Sequence, residues 1–210
     1  MKRFAFLTVH LLIGLAAASA ASPKMPNFLA RRDYAGLFGG FVQIADTNND
    51  GIPDLIDING GYVQVLLGTG KGGFSAGPGT HTVISDAGAF VATDLTGSGN
   101  VDLVQFGEIT VGGDQSGIAI SLGNGDGTFQ KGTFYPAGTN PDEDIFSGVL
   151  GDFNNDGIPD VVAAGASGVW LFTGEGNGLF NPGVLAVPFK NADGAVAAPI
   201  SMVTETWIWS

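Results

Sequence analysis

The 210-residue chain is 44% hydrophobic and 13% charged, contains 35 glycines, 10 prolines and no cysteine, and carries a formal net charge of −12. This apolar content excludes a disordered acidic tail, the glycines spread along the chain favour tight turns over long helices, and the acidity argues against nucleic acid or an anionic membrane surface as partner. Without cysteine there is no disulfide, no thiolate chemistry and no thiol for lipidation, so bound metal is one remaining staple for a chain long enough to build one sizeable core.

The N-terminus, MKRFAFLTVHLLIGLAAASAAS, sets Lys2 and Arg3 before an apolar run from Phe4 to Ala17 and the small triplet Ala18, Ser19, Ala20. That is the pattern of a secretory signal peptide over residues 1–20, cut after Ala20. The run is shorter than the roughly 20 residues of a spanning helix, so no membrane span is expected after cleavage. Two of the eight basic residues and none of the twenty acidic ones lie in this segment, leaving a mature net charge of −14. The expected location is secreted, extracellular or periplasmic, where an acidic surplus suits a collector of cations.

From there two motifs recur in register. An acidic loop reads DTNNDGIPD at 46–54, DLTGSGNVD at 94–102 and DFNNDGIPD at 152–160. A glycine-spaced turn, G-x-G-x-G-x-F, follows each and closes on Phe74, Phe129 and Phe180. The middle copy carries seven extra residues between loop and Phe, which fit the polar stretch at 107–117 as a lengthened hairpin. Between the landmarks the chain alternates or runs β-branched: FVQIA, LIDI and YVQVLLG, then VDLVQF and IAISLG, then DVVAAG and GVWLFTG. Each unit predicts about four short strands, and a period of about 50 residues predicts β-propeller-type blades rather than a sandwich. The expected architecture is all-β. About three antiparallel four-stranded repeats, approximately 40–88, 89–144 and 145–190, lie within a repeat region of 21–210 with partial flanking blades.

The loops carry the chemistry. Calcium takes six to eight hard oxygen ligands, which loops of this kind deliver from alternating side chains around a glycine bend. In the first copy these are Asp46, Asn48 and Asp50 at positions 1, 3 and 5, the carbonyl of Ile52 at position 7 and Asp54 at position 9. In the third copy they are Asp152, Asn154, Asp156, Ile158 and Asp160. Three carboxylates per loop are expected within a few ångströms of one another, an arrangement that favours a bound cation. With no His or Cys in the loops, zinc and copper are disfavoured, and magnesium prefers to keep its waters. The same Asn-Asp-Gly sequence is also a common turn former, so a solitary copy is read equally well as a bare hairpin corner; recurrence with Asp at position 9 tips the reading toward calcium. The middle copy offers Asp94, Thr96, Ser98 and Asp102, a weaker metal set expected to survive chiefly as a turn.

The paired motifs resemble the FG-GAP family, also described as VCBS repeats, whose units join a D-x-[DN]-x-[DN]-G-x-x-D loop to a G-N-G-D-G-T-F turn. The resemblance covers residues 28 to 190. It implies a propeller of the kind found in integrin alpha subunits and exported bacterial proteins, with Ca2+ in the loops and carbohydrate or a cell-surface protein as partner class. The expected function is a secreted calcium-binding module for binding or scaffolding. The alternative is a fragment of a calcium-dependent, lyase-like polysaccharide enzyme, which would want a basic residue beside the metal from among Lys24, Arg31, Arg32, Lys71, Lys131 and Lys190.

Other motifs carry less. GTGKGG at 68–73 matches a dinucleotide fingerprint, but no helix pattern follows and its counterparts are turns. His81 stands without catalytic partners, and no Ser/His/Asp set is evident, so no catalytic residue is assigned. Trp170, Trp207, Trp209, Tyr62 and Tyr135 could stack on sugar rings or pack a core, depending on exposure. Phe28 stands ahead of Asp46 much as Phe74 stands ahead of Asp94, and no acid occupies APISMV where a fourth loop would begin. The chain is therefore expected to be an incomplete propeller, open to edge-to-edge association.

Overall fold

The structure, a computed structural model, describes residues 41–109, 114–140 and 142–189. The expected signal peptide, Phe28, Trp207, Trp209 and the missing fourth loop lie outside the described residues.

Fourteen strands and no helix are found among the described residues. The first sheet is a meander of β1 (Phe41–Ala45), β2 (Asp54–Asn59), β3 (Tyr62–Gly68) and β4 (Phe74–His81). The second contains β5 (Asp86–Thr93), β6 (Asp102–Ile109), β7 (Gln115–Ser121) and β8 (Thr133–Pro136). The third begins with β9 (Ile145–Gly151), β10 (Asp160–Gly165) and β11 (Gly168–Phe172). A small hairpin of β12 (Gly174–Gly176) and β13 (Leu179–Phe180) then intervenes before β14 (Val184–Pro188) completes it. In each sheet the strands pair antiparallel with their chain neighbours, the order being β1-β2-β3-β4, β5-β6-β7-β8 and β9-β10-β11-β14. These are three blades of an unclosed β-propeller, as the repeat predicts. The second blade opens at Asp86, slightly before the expected boundary, because Asp86 still pairs with Glu108 across the longer β6.

The register fixes the corners. Ala45 pairs with Asp54, Thr93 with Asp102 and Gly151 with Asp160, so each acidic loop is the connection between the first two strands of its blade. The glycine turn connects the third strand to the fourth. In a meander those two connections fall at the same end of the sheet, so both motifs share one corner. The extra residues of the middle copy lengthen the β6–β7 hairpin at the opposite end, where Ile109 pairs with Gln115.

Two apolar layers hold the blades face to face. Ile56, Ile58, Val63 and Val65 of the first blade meet Phe90, Leu103 and Phe129 of the second. Val104, Phe106, Ile118 and Ile120 of the second meet Val161, Ala163, Trp170, Phe172 and Phe180 of the third. The middle blade is therefore buried on both faces, and its central strands are largely apolar, interrupted by the buried polar side chains of Asp102, Gln105, Ser116 and Ser121; the Gln105 amide donates to Thr82 Oγ1 at 3.3 Å. Of the three rings that close the glycine turns, which read as core anchors, Phe129 and Phe180 are buried in the layers between blades, whereas Phe74 is half-buried.

The first strands of adjacent blades are neighbours. Gln43 accepts from the N–H of Ala92 at 2.9 Å and donates to the carbonyl of Phe90, tying β1 to β5. At β5 and β9 the approach is closer still: a Cβ on Gly88 would press the carbonyl of Phe146, and one on Gly148 would strike the ring of Phe106.

Candidate metal loops at the blade corners

Each loop is organised by two carboxylates with different duties. The position 1 carboxylate folds over the loop and accepts from the N–H groups of positions 5 and 6. Asp46 does so from Asp50 at 3.2 Å and Gly51 at 2.8 Å, Asp152 from Asp156 at 3.1 Å and Gly157 at 2.9 Å. In the middle copy Asp94 makes the same pair of bonds, from Ser98 at 3.0 Å and Gly99 at 2.8 Å. Positions 4 and 6 both lie in the left-handed region. Gly51, Gly99 and Gly157 occupy position 6, and Asn49, Gly97 and Asn155 occupy position 4 with φ of 58°, 72° and 62°. Only Gly and Asn adopt that conformation readily, which explains the second Asn of each NND sequence and its replacement by Gly in the middle copy.

The position 9 carboxylate turns inward instead. Asp54, Asp102 and Asp160 are fully buried at the start of the second strand. Asp54 accepts from the N–H of Thr47 at 2.9 Å, the hydroxyl of Thr47 at 2.6 Å and the N–H of Gly68 at 2.8 Å. Asp102 takes Leu95 at 3.1 Å and Gly123 at 2.8 Å, and Asp160 takes Phe153 at 3.0 Å and Gly174 at 2.8 Å. One oxygen thus holds the loop at position 2 and the other holds the first glycine of the turn. That glycine is pressed on the loop as well: a Cβ on Gly68, Gly123 or Gly174 would collide with the carbonyl of Pro53, Val101 or Pro159. The acidic loop and the glycine turn form one hydrogen-bonded corner, and position 9 is its clamp.

The remaining oxygens gather at the surface. Asp46 Oδ1 and Asn48 Oδ1 both lie 3.2 Å from the N–H nitrogen of Asp50, and Asp152 Oδ1 and Asn154 Oδ1 lie 3.1 and 2.9 Å from that of Asp156. Each Asn amide also donates to the position 5 carboxylate, at 3.0 Å in the first copy and 2.8 Å in the third. Side-chain oxygens of positions 1, 3 and 5 therefore share a small volume in both copies, all of them hard donors. The three carboxylates expected to converge are divided two and one, because the buried one satisfies backbone donors. Among the described residues no three Asp, Glu, His or Cys side chains form a group able to hold a metal. In the middle copy Thr96 turns its hydroxyl to Asp102 at 3.4 Å and Ser98 accepts from the N–H of Asn100 at 3.2 Å, so both hydroxyls serve the turn.

Neighbouring corners are linked. Asn49 donates to Asn100 Oδ1 at 2.8 Å, and the N–H of Gly127 reaches the carbonyl of Thr47 at 2.9 Å. Between the second and third corners, a cleft of about 260 Å³ is lined by Asp94, Leu95, Asp152 and Pro159 among others.

The aromatic candidates separate by exposure. Trp170 and Tyr135 are buried in the layer between the second and third blades, so they pack rather than present a stacking face. Tyr62 is half-buried and meets His81 edge to face, with ring centroids 4.9 Å apart. Of the basic residues, Lys71 lies within the first glycine turn. Lys131 lines a separate cleft with Thr82, Val83, Ile109 and Phe134, whose lining includes no loop residue. Lys24, Arg31, Arg32 and Lys190 lie outside the described residues.

Comparison with known proteins places these features in a family. The FG-GAP-like repeat model matches twice, at residues 107–163 and 152–200. No curated protein matches the chain. Among solved structures it is similar to an Agrocybe aegerita lectin described as recognising non-reducing terminal N-acetylglucosamine, with 26% identity over 69% of this chain and 38% of that one and a TM-score of 0.45. It is also similar to part of the Photorhabdus luminescens Tc holotoxin pore, with 19% identity over 72% of this chain and 7% of that one and a TM-score of 0.41. This chain spans well under half the length of either, and with superpositions this loose neither likeness bears on what it binds. The doubled family match agrees with the repeated corner and the four-stranded blades. Residues 107–200 of this chain thus carry FG-GAP-like repeats.

Proposed function

We propose that the protein is a secreted, calcium-binding β-propeller module whose corners are stiffened by Ca2+ and whose blades present a surface for carbohydrate or a cell-surface protein. The observation that carries the metal assignment is the matched convergence of position 1, 3 and 5 oxygens in the first and third corners and its loss in the second. The ligands would be Asp46, Asn48, Asp50 and the Ile52 carbonyl, and in the third corner Asp152, Asn154, Asp156 and the Ile158 carbonyl. Asp54 and Asp160 would close the sites from below, each with lone-pair capacity at Oδ1 beyond its one backbone bond. Asp94, Thr96, Ser98 and Asp102 would hold the ion more weakly. Calcium would supply a positive charge that offsets the repulsion of clustered carboxylates, with oxygen ligands only.

A ligand that binds only the folded chain raises its thermal midpoint by mass action. The midpoint of the purified protein is expected to rise with millimolar calcium over chelator, and calorimetry to count two tight sites per chain. An unchanged midpoint with no heat of binding at those concentrations defeats the metal assignment. The partner class is tested separately, by glycan-array and cell-surface binding of the calcium-loaded protein.

A further inference from the structure

We infer that the second corner responds to calcium bound in the first, because two hydrogen bonds across the blade junction join the first loop to both halves of the second corner. This coupling rests on calcium in the first loop, as proposed above. It ties the first corner to the second but not the second to the third.

The first link starts at position 4. Asn49 stands between Asn48 and Asp50, both assigned as ligands, so a cation held by those side chains fixes the backbone on either side of it and with it the left-handed φ of 58°. Its amide donates to Asn100 Oδ1 at 2.8 Å. Asn100 is position 7 of the second loop, and its own amide reaches the carbonyl of Gly123, the first glycine of the second turn, at 3.4 Å. The turn closes over this bridge: a Cβ on Gly125 would strike both Asn100 Oδ1 and Asn49 Nδ2. The second link is the N–H of Gly127, which donates to the carbonyl of Thr47 at 2.9 Å. Thr47 is buried and held through its N–H and hydroxyl by Asp54, so its carbonyl is a fixed point of the first corner. Loop and turn of the second corner are tied to each other by Asp102, which accepts from Leu95 and Gly123. Whatever steadies one therefore steadies the other.

The next junction lacks these parts. Position 4 of the second loop is Gly97, which has no side chain to donate, and position 7 of the third loop is Ile158, which has none to accept. The third turn rests there on carbon: a Cβ on Gly178 would meet Leu122 and Thr96 methyl groups. Sites that share a bonded element are coupled, commonly by about 5-fold to 150-fold. The second loop, poor in ligands of its own, is thereby ordered by an ion in its neighbour.

NMR-detected amide exchange of the purified full chain reads each loop separately, with calcium chloride added until the first loop's response saturates. The amides of Ser98, Gly99 and Asn100 are expected to exchange about fivefold more slowly in calcium than in chelator, with the same titration midpoint as Asp50 and Gly51. Asn49→Gly keeps the left-handed position accessible, as Gly97 does in the second loop, and removes only the amide. In that variant Asp50 and Gly51 should keep their calcium protection while Ser98, Gly99 and Asn100 lose most of theirs. Asp50→Asn, which removes a charged ligand from the first loop, should abolish the response at both corners and leave that of Asp156 and Gly157 intact. A second loop that still responds in Asp50→Asn holds its own ion and overturns the coupling. So does a second-loop response undiminished in Asn49→Gly, or a first loop that responds alone. Calcium protection in no loop overturns the metal assignment and the coupling together, so the two failures are distinguishable.

Discussion

Asp152 and Asp160 stand at either end of one loop and do opposite work, which separates stability from metal response at the level of single residues. Asp160 is wholly buried and satisfies the N–H groups of Phe153 and Gly174. Removing a buried acceptor leaves its donors unpaired, at about 1–3 kcal/mol for each. Asp160→Ala is therefore expected to destabilise the protein by about 2–4 kcal/mol in urea unfolding, in chelator and in calcium alike. Asp152 is exposed, and water can replace it at the N–H groups of Asp156 and Gly157. Asp152→Ala is expected to cost less than about 1 kcal/mol in chelator and to lose the calcium increment of the third corner. Equal losses for the two variants in chelator contradict this division. The division was only half legible in sequence. Spacing identified the loop, and the common Asp at position 9 looked like one more ligand. Its partner lies 14 residues on in the first and third copies and 21 in the second. The difference equals the hairpin insertion, so the bond follows the strand register rather than any fixed sequence distance. The left-handed position 4 was visible as an Asn or a Gly, yet nothing local distinguished a conformational demand from a ligand.

Among elements, the strands were legible because alternation and β-branched runs survive in every copy, and the two motifs marked the ends of each hairpin. Exposure was not legible. The apolar β1 residues Val42 and Ile44 read like core, but burial depends on whether a neighbouring blade covers them. Nor did sequence show that Asp86, at the start of β5, Glu108, near the end of β6, and Asp144, just before β9, would meet across the second and third blades. They line a cleft of about 340 Å³ with Gly88, Gly107, Ile145 and Phe146. Desolvation raises the pKa of Glu108 from its ordinary value, with Asp144, Asp114 and Asp86 adding repulsion. Desolvation also raises Asp144, with Asp86 and Glu143 adding to it. A carboxyl whose folded pKa is raised binds its proton more tightly in the native state. Its stabilising contribution is complete below the unfolded pKa and is lost as pH rises through the folded value. Glu108→Gln should therefore raise the thermal midpoint near neutral pH, with the advantage fading as the solution is acidified below the carboxylate range. Because Glu108 remains largely solvated, the gain is expected at about 0.5 kcal/mol or less and should shrink with added salt. A benefit that persists unchanged in acid would show that charge is not its cause.

At the scale of the whole molecule, stability is expected to be graded across the blades rather than uniform. β6 and β7 are buried on both faces and hydrogen-bonded on both edges, whereas β1 forms one edge of the first sheet and β14 an edge of the last, each with exposed apolar residues. Local opening is cheapest where few apolar contacts are broken, and it approaches the global unfolding free energy only in the most enclosed strands. Amide exchange should therefore be slowest along β6 and β7 and fastest along β1 and β14, with β2, β3, β10 and β11 between. The side chain that most strongly tests the gradient is Phe106, which fills the second layer and lies against Gly148 of β9. Phe106→Ala should cost about 3–5 kcal/mol, the range for emptying a buried aromatic site. It should also accelerate exchange in the second and third blades together, because one ring supports both. Calcium, acting at the corners, should slow exchange of the loop amides at positions 5 and 6 in the first and third blades without reordering the strands. Uniform protection across all three sheets, or acceleration confined to β6 alone after Phe106→Ala, would mean that the blades do not share stability through their faces.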